Sequence, residues 1–403
     1  MGHQHETTPP TGVTWLLDPA LRHLNHGSFG AVPEVIYHEH ADLRRRVEAN
    51  PVKWFAELPQ HIAAARQQMA PLLGVDVNQL AFVLNASAGA SVVYASLAHR
   101  GPLNVMTTNH GYGAITMGAE RLAQRTGGQA VSLEIPLDAS ADDVVGIVTG
   151  GLERARPHLL VIDQVTSATA RAFPVDEVCR RARELDVLTL VDGAHSPGVL
   201  PEPVTTEADF WVGNLHKFAC SPRGAAVLVA RDGGALFPSI DSWGHPYPFP
   251  ERFDHQGTLD LTQWVMAPRA WQYLEGAVGW PAVRERSAAL LDEACAVVGQ
   301  ALAGLVEDPV PDVGMPVGPL RLVRLPRGLG ETHPAADALR VPFMDATGIV
   351  AAFTHFQGRG YLRLSAHLYN QLADYEHLAT VGIPLLHQWS TTPAQGTQQL
   401  THH

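Results

Sequence analysis

Leu188-Thr189-Leu190-Val191-Asp192-Gly193-Ala194-His195 is the stretch whose reading decides the fold: a short apolar run that stops at an acid, a glycine and a histidine. It lacks the alternation of a half-wet strand, so it reads as a strand buried on both faces of a mostly parallel sheet. Two further runs end in the same manner. Residues 159–162 run into Asp163-Gln164-Val165-Thr166-Ser167, and residues 210–212 into Gly213-Asn214-Leu215-His216-Lys217. Residues 225–230 form a fourth such run, and helical patterns such as 175–185 supply the crossovers that parallel strands require. The expected class is α/β, with ligands held beyond the carboxyl ends of the strands.

Upstream, residues 33–50 read as a helix that Pro33 opens and Pro51 stops, and a second helix should begin near Ser87. From about Pro268 the pattern changes to longer helices with a few strands, closing with a strand at 361–364 and a helix after Asn370. This indicates a second, smaller α+β domain. The expected division is an N-terminal segment 1–30 that joins the small domain, a large domain 31–267, the small domain 268–388 and a flexible tail 389–403.

Composition narrows the function. The 403 residues carry 28 Lys+Arg against 40 Asp+Glu, a formal charge of −12, which leaves no basic footprint for nucleic acid or anionic lipid. No apolar run approaches the roughly 20 residues of a membrane span, and the N-terminus lacks the layout of a signal peptide, so a cytoplasmic protein is expected. Cys179, Cys220 and Cys295 are scattered and odd in number, supporting neither a disulfide framework nor a metal site.

The polar residues past the three runs meet the needs of pyridoxal 5′-phosphate. That cofactor requires an amine, a carboxylate to keep its pyridine nitrogen protonated, a phosphate clamp and an aromatic cover. Lys217 offers the amine and Asp192 the carboxylate. His195 and Ser167 are placed for the phenolic oxygen. Asn85-Ala86-Ser87-Ala88-Gly89-Ala90-Ser91, small residues between an apolar and a helical run, can clamp a dianion through free N–H groups and the Ser87 hydroxyl, with His216 as a further donor. His110 is the first choice for ring cover and Tyr112 the second.

These segments resemble the class V aminotransferase family of fold-type I pyridoxal-phosphate enzymes, and within it the isopenicillin N epimerase-like branch. The likeness rests on LNHGSFG (24–30), ANPVKWF (49–55), NASAG (85–89), VDGAHSPG (191–198), GNLHKF (213–218), SPRG (221–224), QGTLD (256–260) and LRLSAHLYN (362–370), in order along nearly the whole chain. The resemblance implies Lys217 as the Schiff-base lysine, Asp192 at the pyridine nitrogen, His195 and Ser167 near the phenolate, and His110 stacked on the ring. It implies Ser87, Ala88 and His216 at the phosphate, together with Asn214. It further implies Arg363 on the substrate α-carboxylate, Asn25, His26 and Gly27 at the substrate entrance, and a homodimer in which Thr258 reaches the neighbouring subunit's phosphate. Branch members often carry an arginine where this chain has Leu259, so recognition at that edge differs. No cysteine follows Cys295, which excludes the late nucleophilic cysteine of a desulfurase.

The substrate expected from this is a modified amino acid, and the reaction a β-elimination that breaks the C–S bond of a cysteine S-conjugate, as in natural-product pathways such as those of lincosamides. Epimerisation of the isopenicillin N type and decarboxylating deamination are the alternatives. A catalytically silent binding protein is a fourth possibility, against which the intact Lys217, Asp192 and Arg363 all speak.

Overall fold

The computed structural model describes residues 12–391 and divides into two compact units. The larger consists of Ile36–Trp271 and Asp312–Val317; the smaller consists of Met1–Val35, Gln272–Pro311 and Gly318–His403, as far as these are described. Of the expected tail, residues 392–403 lie outside the described residues, whereas 389–391 complete the helix Ile383–Thr391.

Seven strands build the larger unit: β1 (Leu80–Val83), β2 (Val105–Thr108), β3 (Ala130–Leu133), β4 (Leu159–Asp163), β5 (Leu188–Asp192), β6 (Phe210–Asn214) and β7 (Ala226–Ala230). Their spatial order is β1-β7-β6-β5-β4-β2-β3. Only β7 runs against its neighbours; the remaining pairs are parallel. Every residue of β4, β6 and β7 is buried, the state that unbroken apolar runs imply. Val161, Leu190, Val212 and Leu228 share one core cluster with Val93, Ile115 and Leu122 from the covering helices. Burying each such side chain stabilises the fold by about 1.5–3 kcal/mol.

The register sets the site. β4 and β5 pair from Leu159 opposite Leu188 to Asp163 opposite Asp192, and β5 pairs with β6 at Asp192 opposite Val212. Two carboxylates therefore finish adjacent strands side by side, and β6 extends two residues further, to Asn214. Beneath this edge the Trp211 indole fills the space that the side chains of residues 193 and 213 would need. A Cβ on Gly193 would lie 2.3 Å from the indole, and one on Gly213 2.0 Å from it. Both glycines are thus required by packing.

The helices correct one expectation. Pro51 does follow the end of one helix, Glu34–Ala49, but it also opens another, Pro51–Leu73, as its first residue. Asn50 caps that helix by accepting the Lys53 N–H at 3.1 Å. Pro59 and Pro71 lie inside it, each removing one backbone hydrogen bond. The stripe Trp54, Leu58, Ile62, Ala65, Met69 and Leu73 is buried at helical spacing and outweighs that loss.

The smaller unit holds a three-stranded antiparallel sheet, β8 (Leu320–Arg324), β9 (Ala352–Phe356) and β10 (Arg359–Ser365), in the order β9-β10-β8. Its core gathers Leu24, Leu291, Val298, Phe343, Phe353 and Leu362. A short parallel ladder of Arg22–His23 with Ile349–Val350 fastens the N-terminal segment into this unit.

Candidate active site

The chemistry begins at the ends of β4, β5 and β6. Lys217, three residues past β6, is half-buried and its Nζ lies 3.1 Å from Nε2 of the buried His195. Asp192 is 3% exposed, and its Oδ1 accepts the Ala194 N–H at 2.9 Å. Its other carboxylate oxygen takes no hydrogen bond among the described residues. Burial raises the pKa of Asp192, while the Ala194 bond and the charge of Lys217 favour the anion. Asp163, on the neighbouring strand, is pushed up further by burial and by Asp192, and its carboxylate accepts the backbone N–H groups of Tyr112 and Ser167. Ser167 is consequently held beside this cluster.

The end expected to hold the phosphate is formed by the helix Ala86–Leu97. Asn214 Oδ1 accepts the Ala86 N–H at 2.9 Å, and the N-cap Asn85 accepts the Ala88 N–H at 2.8 Å. The Ala88 N–H is thereby committed, contrary to the expectation that it faces the phosphate. Ser87 remains: neither its N–H nor its hydroxyl has a partner among the described residues, at the positive end of a helix dipole. His216 donates from Nδ1 to the Ala225 carbonyl at 2.9 Å, and burial lowers its pKa to about 4, with Lys217 and Arg223 adding to the effect. Its Nε2 is therefore bare at neutral pH and binds a phosphate only by taking up a proton.

Ring cover is where the structure departs most from the expectation. His110 is 0% exposed, with Nε2 3.0 Å from the Ile135 carbonyl, Nδ1 2.7 Å from the Thr169 hydroxyl and the Phe173 ring set edge-on at 5.2 Å. It presents no open face. Tyr112, the second choice, is 45% exposed and stands over the lysine, with Nζ 6.0 Å from its ring centroid.

Arg363, Asn25, His26 and Gly27 belong to the smaller unit. Arg363 on β10 is 3% exposed and donates from Nη2 to Ser28 Oγ at 3.2 Å and to Asn25 Oδ1 at 3.4 Å; Ser28 in turn donates to Asn25 at 2.6 Å. The His26 N–H donates to Ser365 Oγ at 2.6 Å, and its ring stacks on His367 at 4.2 Å with Nδ1 3.0 Å from the Tyr369 hydroxyl. Gly27 is buried in the short helix His26–Phe29. Thr258 is exposed in the larger unit, four residues past Asp254, whose buried carboxylate is gripped by Arg66 at 2.6 and 3.0 Å. Sequence reasoning missed Ser28, although it lies within LNHGSFG. It also missed His367 and Tyr369, which LRLSAHLYN contains, and the supporting role of Gln164, which accepts from Trp211 Nε1 at 2.8 Å and Ser196 at 3.1 Å.

A buried Asp192 with one carboxylate oxygen free of hydrogen bonds, a half-buried amine and a Ser87 without a partner among the described residues at a helix N-terminus match the pyridine nitrogen, carbonyl and phosphate of pyridoxal 5′-phosphate. Together with the sheet they define a fold-type I enzyme that uses this cofactor. The Aminotransferase class-V family profile matches residues 29–301, and the chain belongs to that family. It is 30% identical to isopenicillin N epimerase of Amycolatopsis lactamdurans over 90% of this chain and 94% of that one. It is 22% identical to hercynylcysteine sulfoxide lyase of Schizosaccharomyces pombe (91% and 95%) and 26% identical to a putative L-cysteine desulfhydrase of Oryza sativa (90% and 82%). Among solved structures, the apo cysteine desulfurase of Thermococcus onnurineus shares the fold with a TM-score of 0.75 at 19% identity, over 96% of this chain and 99% of that one. A C-DES variant with glycine covalently linked to its pyridoxal-phosphate cofactor gives 0.71 at 18%, over 91% and 96%. No helix among the described residues is long and apolar enough to cross a membrane.

Proposed function

We propose that the protein is a lyase that cleaves the C–S bond of a cysteine S-conjugate or similar modified amino acid by β-elimination, yielding a thiol and an aminoacrylate that water hydrolyses to pyruvate and ammonia. The observation that carries this reading is the proton-transfer pair at the strand ends of the larger unit, Lys217 with His195 at 3.1 Å. His110 has both ring nitrogens engaged, and the bare Nε2 of His216 is assigned to the phosphate, so neither is assigned as a second base. Elimination needs one base and a leaving group, whereas two-face epimerisation needs a further acid. The names of two relatives, a sulfoxide lyase and a desulfhydrase, fit the same reading.

When bound, pyridoxal phosphate supplies an electron sink for the bond broken at Cα. Lys217 takes the Cα proton, and His195 holds the amine in place for that transfer. Asp192 keeps the pyridine nitrogen protonated, an interaction that burial strengthens. Ser87 and the helix that starts beside it would bind the phosphate, with a protonated His216 assisting, and Tyr112 would cover the ring. Arg363, braced by Asn25 and Ser28, would take the α-carboxylate as a planar fork. Asn214 acts on the phosphate indirectly, by fixing the helix start.

Incubation of the holoenzyme with S-alkyl cysteines should release pyruvate and thiol in equal amounts, and Lys217→Ala should abolish both. Exchange of the Cα hydrogen in deuterated water without pyruvate would overturn the lyase reading in favour of an epimerase, the activity named for the Amycolatopsis relative. Carbon dioxide release would instead indicate a decarboxylating deaminase.

A further inference from the structure

We infer that His110 is a positioning residue: its neutral ring, locked between the Ile135 carbonyl and the Thr169 hydroxyl, couples the loop that presents Tyr112 to the loop that presents Ser167. The inference rests on the reading of Tyr112 as ring cover.

The hydrogen-bond chain has one consistent direction. The Ile135 carbonyl only accepts, so the ring proton sits on Nε2, at 3.0 Å. Nδ1 then accepts from the Thr169 hydroxyl at 2.7 Å. Thr169 in turn accepts from Thr166 at 2.7 Å, and Thr166 Oγ1 accepts the Arg171 N–H at 2.9 Å. Each hydroxyl serves once as donor and once as acceptor, so both ring nitrogens and both hydroxyls are satisfied without water. The two ends lie next to the site, for His110 is two residues before Tyr112 and Thr166 one before Ser167.

Burial keeps the ring neutral, and Arg171 adds to this and anchors the surroundings. Wholly buried, it donates from Nη1 to the Pro136 carbonyl at 2.7 Å and from Nη2 to Ala139, and lies over the Phe173 ring at 5.2 Å. Its Nη1 is also 3.4 Å from His110 Nε2, too crowded for a second cation. Burial first, and this guanidinium after it, hold the His110 pKa down at about 3, so the chain keeps its direction across the working range of pH. The Ala172 N–H donates to the Met315 carbonyl at 3.0 Å, which draws residues 312–317 into the larger unit.

Stacking and positioning make opposite demands on residue 110, and substitution separates them. An asparagine places its amide oxygen where Nδ1 stands and so keeps the Thr169 bond, whereas phenylalanine keeps an aromatic face and loses both bonds. In cofactor titrations, His110→Phe should raise the dissociation constant for pyridoxal phosphate about tenfold, the loss of one net hydrogen bond, and His110→Asn should stay within about threefold. Amide hydrogen exchange in the cofactor-free protein should quicken at Tyr112 and Ser167 in His110→Phe only. Thr169→Val should act like His110→Phe, and combining the two should add little; it also serves if His110→Phe does not fold. Wild-type affinity in His110→Phe with a loss in His110→Asn would overturn the inference and restore stacking. Unchanged affinity and exchange in all variants would overturn it as well. None of these readouts uses pyruvate, so they are unaffected if the lyase reading fails. Tyr112→Ala without a loss of affinity would remove the ring-cover reading, while exchange at Ser167 would still judge His110.

Discussion

Asp192 carries a charge in a place that resists charge. At 3% exposure its anion is opposed by burial and upheld by the Ala194 N–H and Lys217. Asp163, its partner across the register, is pushed up further, because Asp192 itself disfavours a second anion there. Of the pair, Asp163 is the one whose acid form is the more strongly favoured, and Asp192, with a free oxygen, is the one better placed to carry the negative charge. Asp192→Asn preserves shape and removes that charge. The variant should still bind pyridoxal phosphate, since Ser87 and Lys217 are untouched, but kcat/KM should fall roughly 10- to 100-fold, the worth of a charge-assisted hydrogen bond. Steady-state kinetics beside a cofactor titration checks both parts.

At the scale of elements, the helix Ala86–Leu97 is held at its first turn by neighbours that leave one position open. Ala86 is tied to Asn214 and Ala88 to Asn85, so the N-terminal charge of the dipole is presented through Ser87. Ser87→Ala should weaken cofactor binding about tenfold with little change in thermal stability, because the hydroxyl has no partner among the described residues to lose. Asn85→Ala should instead cost about 1 kcal/mol of stability as a lost cap. These elements differ in how openly the sequence announces them. The runs ending at Asp163, Asp192 and Asn214 were legible because burial on both faces demands unbroken apolar residues, and the polar residue that ends each run borders the proposed site. The helix Pro51–Leu73 was hidden because local rules read Pro51, Pro59 and Pro71 as breakers, while its buried stripe decides the outcome through tertiary packing. The choice between His110 and Tyr112 was hidden for a different reason. Two ring-bearing residues two positions apart differ in direction only through partners distant in sequence, here Ile135 and Thr169.

For the whole molecule the open element is Thr258, exposed and without a partner within its own chain among the described residues. It follows a turn that is firmly seated: Arg66 grips Asp254 in a buried bidentate pair, and Gln256 donates to the Phe253 carbonyl at 3.0 Å. A fixed turn presenting an exposed hydroxyl suits a surface that completes the phosphate clamp of a second copy across a two-fold axis, as the family resemblance implies. If each site draws Lys217 from one chain and Thr258 from the other, two inactive variants can repair one another. Lys217→Ala and Thr258→Glu should each be inactive alone, the second because a carboxylate repels the phosphate. After dissociation and random reassociation, half of the dimers are mixed, and each mixed dimer has one site with an intact lysine and an intact threonine. The mixture should therefore recover about a quarter of wild-type pyruvate formation. If Thr258 served its own chain, the intact lysine would always lie with the altered residue and no activity would return, so the recovery decides which chain the hydroxyl serves.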